Sequence, residues 1–383
     1  VIETSTKLVP SDASRAALPG APPGRAGSGK LGHLRRLHEA ARAGRRLYGQ
    51  GYLASMISAL RLAAFHEFSP KEIVSYGLYA GKVRAQLPVL VSKQRSLAKL
   101  RRGNPRHLER RTEDKVEFHR CCEAHGLAVP RLLGTFGPDE QTTADGRLLA
   151  GAQAWAEHFA RTLPQAFVVK DAAGAYSSGF ATYARDGDRF VDQEGRATDG
   201  EGLYRRLKTT GRRLILQERL FDHPELTRLA GRKTLQSMRI ATCREDDGTV
   251  RLLYWFLKLV GETSLTDNFL AGTSGNMMAH GDPDRGILRG GKRLSDFGTG
   301  LVAVTHHPRT GIALDGFEVP RWAEAVDLAR TAHAEAFPEF CALGWDVAVT
   351  ADGPVLLEAN AWFDPPSHTP HIMSAADWKR IFG

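Results

Sequence analysis

The stretch that most limits this chain is Gly344 to Asn360, GWDVAVTADGPVLLEAN. Two alternating runs flank Ala351-Asp352-Gly353, and Asp-Gly between such runs signals a tight hairpin. A three-residue loop with Gly353 in a left-handed G1 bulge sets Asp346 opposite Glu358. In that register Trp345, Val347, Val349, Val355, Leu357 and Ala359 share an apolar face. Asp346, Glu358 and Asn360 then share the other, because alternate residues lie on one side of a strand. Cross-strand and i,i+2 neighbours are separated by roughly 5 to 7 Å. Two carboxylates that close repel unless a cation lies between them, and oxygen ligands beside substrate phosphates are the usual setting for magnesium. The competing reading is a solvated hairpin face.

With 383 residues and 42% hydrophobic content, the chain can bury a core large enough for one big domain or two to three smaller ones. No apolar run approaches the ~20 residues of a membrane-spanning helix. The opening VIETSTKLVPSDAS lacks a signal-peptide layout. Cys121, Cys122, Cys243 and Cys341 show no CxxC spacing, which is consistent with a reducing cytoplasm. The net charge of +9 is uneven: residues 1–111 hold 21 Lys and Arg against 6 Asp and Glu. Peripheral contact of this basic region with an anionic surface is compatible with that balance. Specific nucleic-acid binding is not expected, since charge runs are ordinarily solvated faces.

Residues 1–30, rich in Ala, Pro, Gly and Ser, are expected to be disordered. A basic helical region over 31–110 follows. It holds an amphipathic helix from Leu31 to about Tyr48, a second from Tyr52 to His66, and a capping box at Ser69-Pro70-Lys71-Glu72. Asp114-Lys115 opens another helix, closed by Gly126. Leu132–Phe136, Phe167–Lys170, Phe180–Tyr183, Arg189–Val191, Leu214–Glu218, Thr234–Cys243 and Val250–Leu259 read as strands. A lysine ending the strand at Lys170, followed by the small residues of DAAGAYSSGF, could lay a cation and backbone N–H groups over phosphates. The loop TDNFLAGTSGNMMAHGD, with Asp267 and Asn268, is long enough to be functional. His333, at helical spacing with apolar residues, reads as a core histidine.

Taken in order, SPKEIVSYGLYA, DKVEFHRCCEAHGLAVP, FVVKDAAGAYSSGF, LILQERLFDHPELTRLAG, TLQSMRIATC, the DNFLAG loop, DGFEVPRWAEAVDLARTAH and the closing hairpin resemble the ATP-grasp superfamily. The likeness is greatest to its sugar-transfer associated branch and covers roughly residues 65–366. It implies an α+β fold in which two α+β lobes clasp ATP, placed at 111–383, with a lid lobe near 140–216 and a metal-binding lobe near 217–383. By position it implies that Lys115 and Lys170 neutralise phosphates and that the loop with Gly174, Ser177, Ser178 and Gly179 covers them. Gln217, Glu218, Arg219 and Leu220 would form the adenine linker, with Glu225 near the ribose. Arg239 and Lys170 would act in catalysis, and Arg239, Asp267 and Asn268 would meet substrate. Asp346, Glu358 and Asn360 would hold Mg2+. Asp171 departs from the family pattern, in which proline often follows the phosphate-binding lysine, and adds a carboxylate beside the flap.

The implied activity is an ATP-dependent carboxylate–amine ligase forming an amide through an acyl phosphate, in glycan or secondary-metabolite biosynthesis. Its partners would be a small-molecule carboxylate and an amine, with a sugar or uronic acid among the candidate substrates. A kinase acting on a sugar hydroxyl and a scaffold that binds nucleotide without turnover are the alternatives.

Overall fold

In a computed structural model, the described residues are 30–85, 87, 90–173, 179–261, 264, 266–282, 284–296, 298, 300–366, 369 and 372–382. The expected disorder of 1–30 therefore lies, but for Lys30, outside them. Seven helices come first: α1 (Lys30–Tyr48), α2 (Tyr52–His66), α3 (Pro70–Ser75), α4 (Gly81–Arg84), α5 (Lys93–Gly103), α6 (Arg110–Glu113) and α7 (Lys115–Ala124). The capping box at α3 is formed: Ser69 accepts from the Glu72 N–H while the Glu72 carboxylate accepts from the Ser69 N–H. Asp114 caps α7 through the N–H groups of Val116 and Glu117, satisfying two donors that a helix start leaves open.

The first sheet contains β1 (Leu132–Phe136), β2 (Gln141–Thr143), β3 (Ala166–Asp171), β4 (Ala181–Asp186), β5 (Arg189–Asp192), β6 (Ala197–Thr198) and β7 (Leu214–Glu218). Their order is β2-β1-β7-β3-β4-β5-β6. Helices α8 (Gly151–Thr162) and α9 (Gly200–Thr209) cover one face, burying Trp155, Phe159, Leu203 and Leu207 against Phe136, Phe167 and Phe190. Alternation leaves Val168 and Lys170, which pair with Gln217 and Ile215 on β7, on the other face.

After α10 (Pro224–Ala230), the second sheet is built from β8 (Ser237–Arg244), β9 (Val250–Leu259), β10 (Met277–Gly281), β11 (Leu288–Leu294) and β12 (Leu301–Val304). Helix α11 (Trp322–Thr331), which runs on into a π-helical turn at Ala332–Ala336, leads to β13 (Ala342–Val349) and β14 (Pro354–Asn360). The strand order is β12-β11-β10-β9-β8-β13-β14. Met238, Ile240, Trp255, Trp345 and Val347 pack one face into a core with residues of α7, α10 and α11. The opposite face packs Tyr254, Phe256 and Met278 against Leu37, Leu62, Phe68 and Ile73 of the N-terminal helical region. His333 is fully buried, its Nδ1 2.7 Å from Thr242 Oγ1 and its Nε2 2.9 Å from the Phe340 carbonyl. Burial pushes its pKa down to about 4, so it is a neutral core residue.

The hairpin keeps the expected Asp346–Glu358 pairing by a different route. Thr350 and Gly353 bond to each other across Ala351-Asp352, and Val349 pairs with Pro354. The extra residue sits farther along, at a bulge between the Asp346–Glu358 and Val347–Leu356 pairs. Gly353 does have positive φ, at 144°, but it does not form the predicted G1 bulge. The physical consequence is a change of face: Leu356 goes to the core instead of Val355 and Leu357.

Candidate active site

A cleft open to solvent lies between the sheets. Val168, Lys170, Thr182 and Glu218, the last residue of β7, line it from the first sheet, and Arg219 and Leu220 from the connection leaving β7. Phe180, Thr234, Leu235 and the bulge residue Leu357 complete much of the wall. The first three were expected within strands, but β4 starts at Ala181 and β8 at Ser237. Phe180 and Leu235 turn apolar side chains to the cleft, which alternation alone does not distinguish from a strand core. Glu218 and Arg219 already donate their N–H groups to the carbonyls of Arg131 and Ala166, at 3.0 and 3.1 Å. Those bonds fix the connection and leave its remaining polar groups for a ligand.

Beyond this wall, Asp346 is 6% exposed and both its oxygens face cations. Arg239 Nε donates to Oδ1 at 2.7 Å, and Lys258 Nζ donates to Oδ2 at 2.5 Å. Burial alone would raise the Asp346 pKa; Arg239 and then Lys258 outweigh it and hold the carboxyl well below the usual range. Burial works against the Arg239 cation too, and Asp346 more than offsets it. Register explains the meeting, since Arg239 lies directly opposite Asp346. Lys258 was missed because it stands in an otherwise apolar strand, VRLLYWFLKL. A lone lysine in such a run was its available signal.

Glu358 and Asn360 are half-buried at the edge of this cluster, with Asn360 Nδ2 3.4 Å from Glu358 Oε1. Lys115, in the first turn of α7, reaches Glu358 Oε2 at 3.6 Å, and its backbone N–H donates to the Ala172 carbonyl. Lys170 Nζ lies 3.4 Å from Gln217 Oε1. Burial, with Lys115 adding to it, pushes the Lys170 pKa down to about 8. Asp267 accepts from the Ser237 N–H at 2.8 Å and from its hydroxyl, and burial raises its pKa against the pull of Lys258. The structure thus gathers Lys115, Lys170, Arg239, Asp267, Asp346, Glu358 and Asn360. The backbone carbonyl of Asn268 braces its own loop, accepting from Asn276 Nδ2 at 2.9 Å and Ser274 Oγ at 2.6 Å.

Glu225 is not brought to the cleft: its exposed carboxylate is held by Arg228 at 2.7 Å. Gly174, Ser177 and Ser178 lie outside the described residues. Gly179, described again after them in sequence, has φ +66°, and a Cβ there would sit 2.4 Å from Asp171 Oδ1. Asp171 itself follows Lys170 on the strand, so it leaves on the opposite side, where Arg212 pairs with it at 2.9 Å. The additional carboxylate is therefore neutralised away from the lysine.

The arrangement is an apolar slot leading to a cluster in which four basic groups meet three carboxylates, suited to a polyanion. The sequence profile of the sugar-transfer associated ATP-grasp family matches residues 94–371. The chain belongs to that family. Comparison with proteins of curated function finds no match. Among solved structures, this ATP-grasp protein is similar to a D-alanine–D-alanine ligase from Bacillus anthracis, at 12% identity and TM-score 0.35, over 70% of this chain and 63% of that one. An L-amino acid ligase from Bacillus licheniformis aligns at 13% identity and TM-score 0.35, over 68% and 43% of the two chains. A biotin carboxylase from Campylobacter jejuni aligns at 11% identity and TM-score 0.40, over 71% and 45%. The chain thus spans about half to two thirds of these proteins, and likenesses so distant carry no activity across.

Proposed function

We propose that this ATP-grasp protein is an ATP-dependent ligase that joins a carboxylate to an amine through an acyl phosphate. The observation that carries the reading is the Arg239–Asp346–Lys258 cluster beside Glu358 and Lys115, whose charges act on Lys170 in the cleft wall. The slot lined by Val168, Leu220 and Leu357 suits a flat adenine, and its rim at Glu218–Leu220 supplies polar edges. Lys115 and Lys170 would neutralise phosphates. Glu358 and Asn360, both half-buried, would hold magnesium with Asp346, whose oxygens keep lone pairs beyond those used by Arg239 and Lys258. When bound, the metal supplies charge neutralisation at phosphate oxygens.

A carboxylate resists attack because the incoming electrons would add charge to an anion. Its oxygen instead attacks the γ-phosphorus, forming a C(O)O–P bond as the bond to the β-phosphate oxygen breaks and ADP departs. The amine then attacks the acyl carbon, phosphate leaves with the C–O electrons, and the nitrogen sheds a proton. Positioning and charge stabilisation dominate such transfers. Arg239 and Lys258 would face the charge that develops on the transferred group. Lys292 shares a row with Lys258 across Met278, and burial pushes its ammonium pKa down. It would meet the anionic end of the acceptor. The family's sugar-transfer association favours a sugar-borne carboxylate, and four unpaired cysteines suit a reducing cytoplasm. A screen for ADP release with magnesium against pools of uronic acids, amino acids and amines tests the reading. Release should require both a carboxylate and an amine. Release with a hydroxyl acceptor alone, giving a stable phosphoester, would mark a kinase.

A further inference from the structure

Among the described residues, eight large apolar side chains stay exposed, and five of them, Leu34, Leu53, Ile57, Leu60 and Phe65, belong to α1 and α2. On α2 the exposed set is ordered. Leu53, Ile57 and Leu60 recur at i, i+4 and i+7, which is one stripe of a helix, and Phe65 at its end is 77% exposed. The helix already uses a different stripe to pack on the body, since Ser55, Ala59 and Leu62 are its buried residues. A helix apolar on both sides is ordinarily enclosed, and this one has its outer side in water.

The neighbouring helix states what covers it. α1 packs against α2 closely enough that a Cβ on Gly44 would lie 2.5 Å from Ser55 Oγ. It exposes Arg35, Arg36, Arg42, Arg45 and Arg46, while its acid Glu39 is taken by Arg35 at 3.1 Å. A second copy of the chain seated symmetrically on the stripe would bring two such arginine sets together and be repelled. An anionic lipid surface satisfies both features: the acyl boundary takes the leucines and the headgroups take the arginines.

We infer that α1 and α2 form a docking face for an anionic membrane surface, independent of the reaction in the cleft. The helices precede residue 94, where the family match begins. They pack on the face of the second sheet that also carries Arg239 and Lys258, so docking sets lipid and active site on the same side of that sheet. No helix among the described residues is long and apolar enough to cross a membrane, and docking of this kind lies in the interface plane.

The test is co-sedimentation of the full chain with phosphatidylcholine vesicles, with and without phosphatidylserine. Binding should need phosphatidylserine and weaken as salt screens the arginines. The triple variant Leu53→Ser, Ile57→Ser, Leu60→Ser should lower the partition at least about tenfold, from the apolar area it withholds. Arg42→Gln with Arg45→Gln and Arg46→Gln should remove the preference for phosphatidylserine. Both variants alter exposed positions, and unchanged ATP binding would certify their fold. No sedimentation with either vesicle, indifference to the triple variant, or a dimer that the triple variant dissolves while vesicles are ignored would each overturn the inference.

Discussion

Replacing Asp346 and Glu358 one at a time separates what holds the site together from what it does. Asp346→Ala strips the carboxylate from two buried cations, Arg239 and Lys258, whose side chains are 15% and 9% exposed. Breaking a buried pair by deleting one partner costs about 3 to 5 kcal/mol, because the remaining charge is left uncompensated. Here two charges are orphaned, so the upper end of that range applies. Glu358 is 31% exposed and meets Lys115 at 3.6 Å; losing such a partly solvated pair in Glu358→Gln should cost about 1 kcal/mol or less. Urea unfolding followed by tryptophan fluorescence reads both values, since Trp345 stands on the same strand as Asp346. Magnesium-dependent ATP binding, followed by calorimetry, should be lost in both variants. The double variant Asp346→Leu with Lys258→Met should recover part of the stability and none of the binding. An Asp346→Ala protein within about 1 kcal/mol of the parent would refute the buried triad, given the penalty for an unpaired internal charge. A Glu358→Gln protein that binds magnesium–ATP normally would refute the ligand assignment.

Other consequences follow from the same geometry. The Lys170 pKa is depressed to about 8, so its charge is present below that pH and lost above it. ATP binding should weaken as pH rises through about 8 and should take up a proton there, measurable by calorimetry in buffers of different ionisation enthalpy; Lys170→Arg should abolish that pH dependence if it still binds. For stability the sign is opposite. The folded pKa lies below the unfolded one, so this group makes the protein more stable as pH climbs from about 8 toward the unfolded lysine value of roughly 10.4. Leu357→Asp places a carboxylate in the apolar slot and should weaken ATP binding at least about tenfold, with little change in unfolding because Leu357 lies outside the core. Lys292→Met should raise KM for the carboxylate acceptor while leaving KM for ATP unchanged; equal changes in both would contradict its proposed place at the acceptor.

Much of this architecture was legible because local signals agreed with tertiary packing. Tyr52–His66, Leu214–Glu218 and Val250–Leu259 begin and end where their patterns say, and the Ser69 and Asp114 caps are formed. Illegible were features that local chemistry leaves undecided. The hairpin needed one extra residue on its second strand to pair Asp346 with Glu358, and nothing in TADGPVLLE states whether it falls at Gly353 or Leu357. Only the cleft, which takes Leu357, and the core, which takes Leu356, decide it. Lys258 was hidden for a related reason: a cation in an apolar strand is tolerated through Asp346, 88 residues away in sequence. Glu225 carried a plausible position in the linear order, but Arg228 one turn later claims its carboxylate.

The central claim is that phosphoryl transfer from ATP activates a carboxylate. It is tested most directly by offering the protein magnesium–ATP, a pool of sugar and amino acids, and hydroxylamine in place of the amine. The account predicts a hydroxamate formed in step with ADP and absent from the Arg239→Met variant. ADP formed together with a phosphoester that survives hydroxylamine, and no hydroxamate, would contradict it.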